Sequence, residues 1–302
     1  MNRREERRFK QLYTQFERLL NLQGYRDATI SSYTRGIRRL AERYDQCPDK
    51  RLTKAEFEHH FSELLKSHSW STIKCDRNGI MRYWELVLER DWPWIELVRP
   101  PVIKQLPDIL SHHEITLILA AVHKRHFRVF LYIVYILGLR LAEALFLKVG
   151  DIDHEHQRVH IRDGKGHKDR FVTLPECGYS VLCRFWLTHR HPKWIFPSLQ
   201  PSRYDSPMDR GSAQKAMKLA TKAANIHKNV SIHNLRHSYA THLLEEDIDL
   251  RSLQALMGHD SPSTTAAYTR LTNRILKDNT AIINQLMDRL PLPSMEDSND
   301  ED

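Results

Sequence analysis

One stretch of the sequence, rich in proline and tryptophan, divides the chain into two parts. It runs from Trp92 to Pro107 and contains four prolines. Proline removes a backbone donor and disfavours helix in the residue before it, so a regular element should not continue through this stretch. We therefore predict a helical domain over residues 1–100, a linker over 101–110, a second domain over 111–290 and an acidic, disordered tail over 291–302.

Helical periodicity dominates the first part. Apolar residues three and four apart predict a helix near residues 30–44, and Thr53 with Glu56 forms a T-x-x-E capping box that begins another. A further helix is predicted from Ser71 to Glu89. Its expected core residues are Ile73, Ile80, Trp84, Val87 and Leu88. Its opposite face carries three basic residues, which either contact phosphates or form a solvated face: Lys74, Arg77 and Arg82.

The second part mixes helices with one short β segment. Ser111 and Glu114 form another capping box, and a strongly apolar helix is predicted over residues 127–137. Residues 157–174 alternate around a glycine-containing turn, which predicts two short strands. Further helices are predicted near 212–226, 234–246, 250–257, 263–269 and 273–289. The sequence thus predicts a mainly α fold with a small β-sheet, in two domains.

Composition indicates which classes of partner, cofactor and environment suit the chain. Its 302 residues carry a net charge of +8, which favours a polyanion such as nucleic acid, although many basic proteins are only soluble and basic. The four cysteines form no CxxC pair, so we interpret them as reduced thiols and not as zinc ligands. The sequence has no apolar run near the ~20 residues of a membrane span and no apolar leader core, so we expect a cytoplasmic protein without membrane contact.

Four separated segments contain residues suited to chemistry. The first, GLRLAEAL, places Arg140 after an apolar helix and a glycine. A buried guanidinium needs an anion. Glu143 supplies one, which would make Arg140 purely structural; alternatively, Arg140 faces a bound phosphate while Glu143 orients it. The segment alone leaves both interpretations open.

The other three segments are equally ambiguous one at a time. In GKGHKDR the glycines permit a hairpin tip that presents Lys165, although a lysine at such a tip is usually only solvated. His233 and Arg236 share a helix face, where they would exchange a proton and hold an anion, unless His233 merely caps the helix. In LMGHDSPSTTAAYT, His259 lies in a turn and Tyr268 lies among small residues that should leave its hydroxyl accessible, although a lone tyrosine more often packs.

Together the four segments resemble the tyrosine recombinase family, also called the phage integrase family. The ordered signature of that family is Arg, Lys, His-x-x-Arg, His (or Trp) and Tyr. It is complete here as Arg140, Lys165, His233, Arg236, His259 and Tyr268. The resemblance covers about residues 107–290 and implies an α+β catalytic domain; the preceding helices resemble more loosely the family's SAM-like core-binding domain. The length is similar to that of Xer proteins and compact mobile-element integrases, and we favour the latter.

The resemblance implies a reaction and a role for each signature residue. Tyr268 attacks a DNA phosphate and forms a 3′-phosphotyrosine bond, in a positive pocket that should favour the phenolate. Arg140 and Arg236 bind the non-bridging oxygens. Lys165 protonates the departing 5′ hydroxyl. His233 would accept a proton and His259 would bind a phosphate oxygen.

The resemblance also implies the partners. The expected partner is double-stranded DNA, bound by a homo-oligomer that is a tetramer in the synaptic complex. No metal, ATP, other cofactor or small-molecule substrate is expected, because no carboxylate cluster or Walker sequence is present. Two alternatives remain: a catalytically silent DNA-binding accessory protein, and a strand relaxer similar to a type IB topoisomerase.

Overall fold

The chain forms two compact units, Met1–Lys104 and Gln105–Asp302. The computed structural model describes residues 1–49, 52–91, 107–162, 169–258, 265, 266 and 268. Four residues of the predicted linker, 107–110, are among them, and they pack within the second unit. Leu110 is buried and its backbone N–H donates to the Ser238 hydroxyl at 2.9 Å, while the Asn234 amide donates to the Asp108 carbonyl at 3.0 Å.

The first unit is a helical bundle of α1 (Arg3–Leu22), α2 (Asp27–Tyr44), α3 (Lys54–Leu65) and α4 (Trp70–Leu86). The predicted capping box begins α3, where the Thr53 hydroxyl accepts from the Glu56 N–H and the Glu56 carboxylate accepts from the Thr53 N–H. Two glycines bring α2 and α4 into close contact. A Cβ at Gly36 would lie 2.9 Å from the Cα of Asp76, and one at Gly79 would lie 2.6 Å from the carbonyl oxygen of Tyr33.

The fourth helix is shorter than its prediction of Ser71–Glu89. Val87 is already the C-cap, and Glu89 has a positive φ of 51°, which a helix cannot continue through. Ile73, Ile80 and Trp84 are buried as predicted, whereas Val87 and Leu88 are only partly buried because they lie beyond the helix end. Tyr83 and Asp76 are also buried.

The second unit packs its helices around a small sheet. Its helices are α5 (His112–Ala121), α6 (Arg125–Ile136), α7 (Leu141–Leu145), α8 (Glu176–Trp186), α9 (Arg210–Ala223), α10 (Ile232–Glu245) and α11 (Leu250–Met257). Its strands are β1 (Ile152–Asp153), β2 (Arg158–Ile161) and β3 (Arg170–Thr173). They form an antiparallel sheet in the order β1-β2-β3, in which Val159 faces Val172. Both valines join the apolar core beside Phe130 of α6.

The mainly α fold with a small sheet is confirmed, with three elements in the second unit that the sequence did not predict: α7, α8 and β1. The helix α8 is one, and its Leu182 and Phe185 are buried in the core. The strand β1 is another, and with two residues it is too short to show an alternating pattern. The predicted helix over 273–289 and the tail over 291–302 lie outside the described residues; of 263–269, only residues 265, 266 and 268 are described, and they are helical.

Membrane insertion finds no support in the described parts of the chain, since none of their helices is both long and apolar enough to cross a bilayer.

Candidate active site

A tight turn after α6 begins the candidate site. Gly138 has a φ of +57°, and a Cβ there would lie 2.4 Å from the ring of Tyr239, so only glycine fits. The turn places Arg140 at the N-cap of α7, and the Arg140 N–H donates to the Glu143 carboxylate at 2.8 Å. The arginine therefore sits between the end of a buried helix and the start of the next.

The carboxylate of Glu143 lies between two guanidinium groups. Its Oε1 accepts from Nη1 of Arg140 at 2.7 Å, and Arg170 of β3 binds both carboxylate oxygens at 2.8 Å. Burial disfavours this charge, yet the bonds from Arg170 and Arg140 outweigh burial and lower the pKa of Glu143 to about 2. The partnership of Arg140 with Glu143 is thus present, and Arg140 still keeps 21% of its side chain exposed.

The second signature arginine, Arg236 of α10, lies in the same cluster. Its Nη1 donates to the Gly138 carbonyl at 2.6 Å and lies 3.8 Å from Glu143, and its Nη2 donates to the Met257 carbonyl. Burial and the charge of Arg140 lower the pKa of Arg236 to about 9, which still leaves it charged at neutral pH. Three cations therefore share one carboxylate, and the cluster carries excess positive charge.

Two histidines of α10, His233 and His237, adjoin this cluster. Ser231 caps the helix through the His233 N–H, so the interpretation of His233 as the cap is wrong. Desolvation, followed by the charges of Arg236 and Arg140, lowers the pKa of His233 below its usual 6.5. The ring of His237 lies 4.6 Å from that of His233, and burial lowers the pKa of His237 to about 4. Both rings are therefore largely neutral at pH 7.

Tyr268, from the C-terminal part of the sequence, lies beside the same cluster. Its hydroxyl lies 2.9 Å from Nδ1 of His237, one residue after Arg236. The side chain is 4% exposed, so the prediction of an accessible hydroxyl is wrong. Burial raises the pKa of Tyr268 more strongly than Arg236 and Arg140 lower it. The two arginines thus favour the phenolate as expected, but burial outweighs them, so the Tyr268 hydroxyl is protonated at neutral pH.

The other predicted site residues fall into two groups. Lys165 and His259 lie outside the described residues. Lys74, Arg77 and Arg82 belong to α4 of the first unit. Lys74 is exposed, Arg77 donates to the Asn78 side chain at 2.9 Å and Arg82 pairs with Glu85 at 2.7 Å. Lys74 is therefore exposed, and the Arg82 side chain, 39% exposed, is paired with a carboxylate.

Two residues of the cluster were missed from sequence, Arg170 and His237. Each lies inside a motif already noted, five residues after Lys165 and one after Arg236. Arg170 begins a strand, where the alternating pattern does not distinguish a solvated arginine from a buried one. Neither position belongs to the family signature, so only the fold reveals their contacts.

Within the described ranges, no group of three or more His, Cys, Asp or Glu side chains is placed to hold a metal ion. Glu143 is the carboxylate at the centre of the cluster, and Arg140 and Arg170 already bind it. The cluster therefore presents positive charge that suits an anion.

Two family profiles match the chain. The phage integrase family matches residues 108–274, and the N-terminal SAM-like domain of phage integrases matches residues 12–94. Among curated proteins, a putative integrase/recombinase of Sinorhizobium fredii is 34% identical, covering 82% of this chain and 80% of its own. The tyrosine recombinase XerA of Thermococcus kodakarensis is 29% identical, covering 85% and 90%.

Solved structures share the fold. A lambda integrase tetramer bound to a Holliday junction aligns with a TM-score of 0.70 at 16% identity, covering 86% of this chain and 76% of the other. A XerH recombinase in a post-cleavage complex with its DNA substrate aligns with a TM-score of 0.64 at 22% identity, covering 84% and 80%.

Proposed function

The chain belongs to the phage integrase family of tyrosine recombinases, and on that premise we propose that it cleaves and rejoins DNA at specific sites through Tyr268. One observation carries the proposal. Arg140, Arg236 and Tyr268 come from three distant segments, yet both arginines lie around Glu143 and both act electrostatically on the Tyr268 hydroxyl. A positive cluster beside a hydroxyl nucleophile suits attack on a phosphodiester.

In the proposed reaction, the Tyr268 oxygen attacks phosphorus and the bond to the 5′ oxygen breaks. The phenolic proton passes to His233 or to solvent, while Lys165 gives its proton to the departing 5′ oxygen. Arg140 and Arg236 stabilise the charge on the non-bridging oxygens, and His259 donates to one of them. The product is a 3′-phosphotyrosine bond, and attack on it by a 5′ hydroxyl reverses the step without ATP.

Tyr268 must become accessible before it attacks in this proposal. Tyr268 is buried and Arg236 donates to two backbone carbonyls, so the hydroxyl must become exposed and the guanidinium must turn towards the phosphate before attack. An arriving phosphate also relieves the repulsion among the clustered arginines. We propose that DNA binding both exposes the Tyr268 hydroxyl and lowers its pKa.

The partners follow from the same proposal. Double-stranded DNA is the substrate, and the basic face of α4 around Lys74 contributes contacts to its backbone. A homotetramer carries out strand exchange on two sites, and a mobile element is the source we favour. Inverted repeats in the DNA that flanks the gene would support this source and would indicate the crossover site.

Recombination itself is the test of the function. A supercoiled plasmid with two copies of the DNA that flanks the gene is incubated with the protein in excess EDTA and without ATP. We expect exchange between the two sites, and none with Tyr268→Phe, which should still bind the DNA. Relaxation without exchange would favour a topoisomerase, and binding without cleavage would favour an accessory protein.

The role of Lys165 has its own test. Lys165→Ala should slow cleavage of a normal phosphodiester by about 100-fold or more, because the leaving oxygen then lacks its acid. A substrate with sulfur at the 5′ bridging position has a leaving group that needs no acid, so it should be cleaved at nearly the wild-type rate. Equal slowing on both substrates would remove Lys165 from this role.

A further inference from the structure

Three arginines converge on the last carbonyl groups of α11. Arg170 donates from Nε to the Leu256 carbonyl at 3.1 Å, Arg236 donates to the Met257 carbonyl, and Arg140 donates to the Gly258 carbonyl at 3.0 Å. The carbonyls at a helix C-terminus lack helical partners and carry partial negative charge. The end of α11 therefore binds both signature arginines and also Arg170, which is not part of the family signature.

All three guanidinium nitrogens of Arg170 donate to protein acceptors. Nη1 and Nη2 donate to the two oxygens of Glu143, Nε donates to Leu256, and the side chain is 10% exposed. Each of its guanidinium nitrogens thus already has a protein acceptor, so Arg170 is poorly placed to bind a phosphate. Arg140 is twice as exposed, at 21%, and presents its side chain to solvent.

The carboxylate of Glu143 links Arg170 to Arg140, because both guanidinium groups donate to it. The two parallel hydrogen bonds from Arg170 hold the Glu143 carboxylate in one orientation. One of its oxygens also accepts from Nη1 of Arg140. Gly258 makes room for the fork, since its φ is +58° and a Cβ there would lie 2.7 Å from Cδ of Arg170. The strand β3, the start of α7 and the end of α11 are thereby joined through one side chain.

We infer that Arg170 is a positioning residue of the cleavage site, which aligns Arg140 through Glu143 and holds the end of α11 in register with both. The inference rests on the proposed function, because that function gives Arg140 a phosphate to bind. Lysine cannot replace Arg170, since an ammonium group does not offer two parallel donors to Glu143 and a third to Leu256.

The test measures the rate of covalent attachment to DNA. The probe is a labelled pool of nicked duplexes, with randomised sequence around the nick, made with three linkages: phosphodiester, 5′-bridging phosphorothiolate and methylphosphonate. Arg170→Gln should slow attachment to the phosphodiester about 10–100-fold with DNA affinity unchanged, because a misplaced Arg140 stabilises the transition state less well. Arg170→Lys should remain at least about 5-fold slow.

The modified linkages separate positioning from a general loss of structure. A methylphosphonate linkage carries no charge on its non-bridging groups, so it depends less on a well-placed Arg140. On this linkage the attachment rate of Arg170→Gln should be within about 3-fold of the wild-type rate. Phosphorothiolate should give no rescue. Full rescue by phosphorothiolate would overturn the inference, because it would place Arg170 on the path of proton delivery. Equal slowing on every linkage would also overturn it.

Two controls complete the design. Arg158→Gln removes a neighbouring sheet arginine that pairs with Asp153 and should leave attachment unchanged. Thermal unfolding without DNA tests the coupling separately: Arg170→Gln and Glu143→Gln together should lower Tm by less than the sum of their separate effects. Additive effects would overturn the inference, whereas absence of attachment by the wild-type protein would contradict the proposed function instead.

Discussion

Tyr268 is the residue for which sequence and structure differ most. Its place in an ordered signature predicted its nearness to Arg140 and Arg236, because a family signature reflects a shared site. Its burial could not be predicted, since small neighbours in the sequence do not reveal what packs above them in space. The same holds for His237, whose contact with the Tyr268 hydroxyl depends on how two helical segments meet.

The hydrogen bond between His237 and Tyr268 leads to a prediction. The ring of His237 is neutral at pH 7, with its pKa lowered to about 4, so its Nδ1 can accept from the phenol at 2.9 Å. His237→Ala should slow covalent attachment about 10-fold and leave DNA affinity unchanged, because the phenol loses the group that orients it. The exposed His123 supplies the control, His123→Ala, which should behave as wild type.

The attachment rate is measured on nicked duplexes with excess protein, and affinity is measured by fluorescence anisotropy. A rate equal to or faster than that of the wild-type protein would show that the bond does not orient Tyr268 for attack.

Elements with clear caps and periodicity were well predicted from the sequence. The capping box of α3 and the bounds of α11, predicted at 250–257, agree with the structure. The helix α8 was missed, although its Leu182 and Phe185 face the core, and the end of α4 was placed three residues too late. Both errors have the same cause: tertiary packing, which the sequence pattern does not show, determines whether a short helix forms and where a helix ends.

The crossing of α2 and α4 makes a prediction about stability. A Cβ at Gly79 would lie 2.6 Å and 2.7 Å from backbone atoms of Tyr33, which cannot rotate away as a side chain would. Gly79→Ala should therefore lower the free energy of unfolding by about 1–3 kcal/mol despite the higher helix propensity of alanine. Gly150→Ala, whose Cβ would meet nothing within 4 Å, is the matched control. Urea denaturation measures both, and equal midpoints would contradict the predicted clash.

A buried histidine of α3 gives a pH-dependent prediction. His60 is fully buried, and burial, aided by the charges of Arg43 and Arg39, lowers its pKa from 6.5 to about 4. The unfolded chain therefore takes up a proton before the folded one does, and stability falls as pH decreases from 6.5 to 4. The loss attributable to His60 should reach about 3 kcal/mol.

The variant His60→Phe isolates this effect, because phenylalanine does not titrate and suits a site beside the rings of Tyr44 and Phe61. Urea denaturation between pH 7 and pH 4.5 should show a smaller loss of stability in the variant. Parallel pH profiles for the two proteins would exclude His60 as the cause.

At the scale of the whole molecule, the prolines between Trp92 and Pro107 predicted two parts, and the chain does form two compact units. The net charge of +8 predicts how the molecule should bind DNA. Each phosphate contact releases a counterion, so six to ten contacts would reduce affinity roughly 10³–10⁵-fold between 50 and 200 mM salt. Anisotropy titrations at several salt concentrations measure the slope, and a flat response would contradict an electrostatic interface.

The identity of the nucleophile is the central claim, and peptide mapping tests it most directly. Trypsin should release Tyr268 in the peptide of residues 252–270, which contains no other tyrosine. After reaction with nicked duplexes in excess EDTA, followed by nuclease and trypsin digestion, mass spectrometry should find this peptide carrying a deoxynucleotide on Tyr268. A nucleotide on any other peptide, or an adduct that disappears with EDTA, would contradict the account.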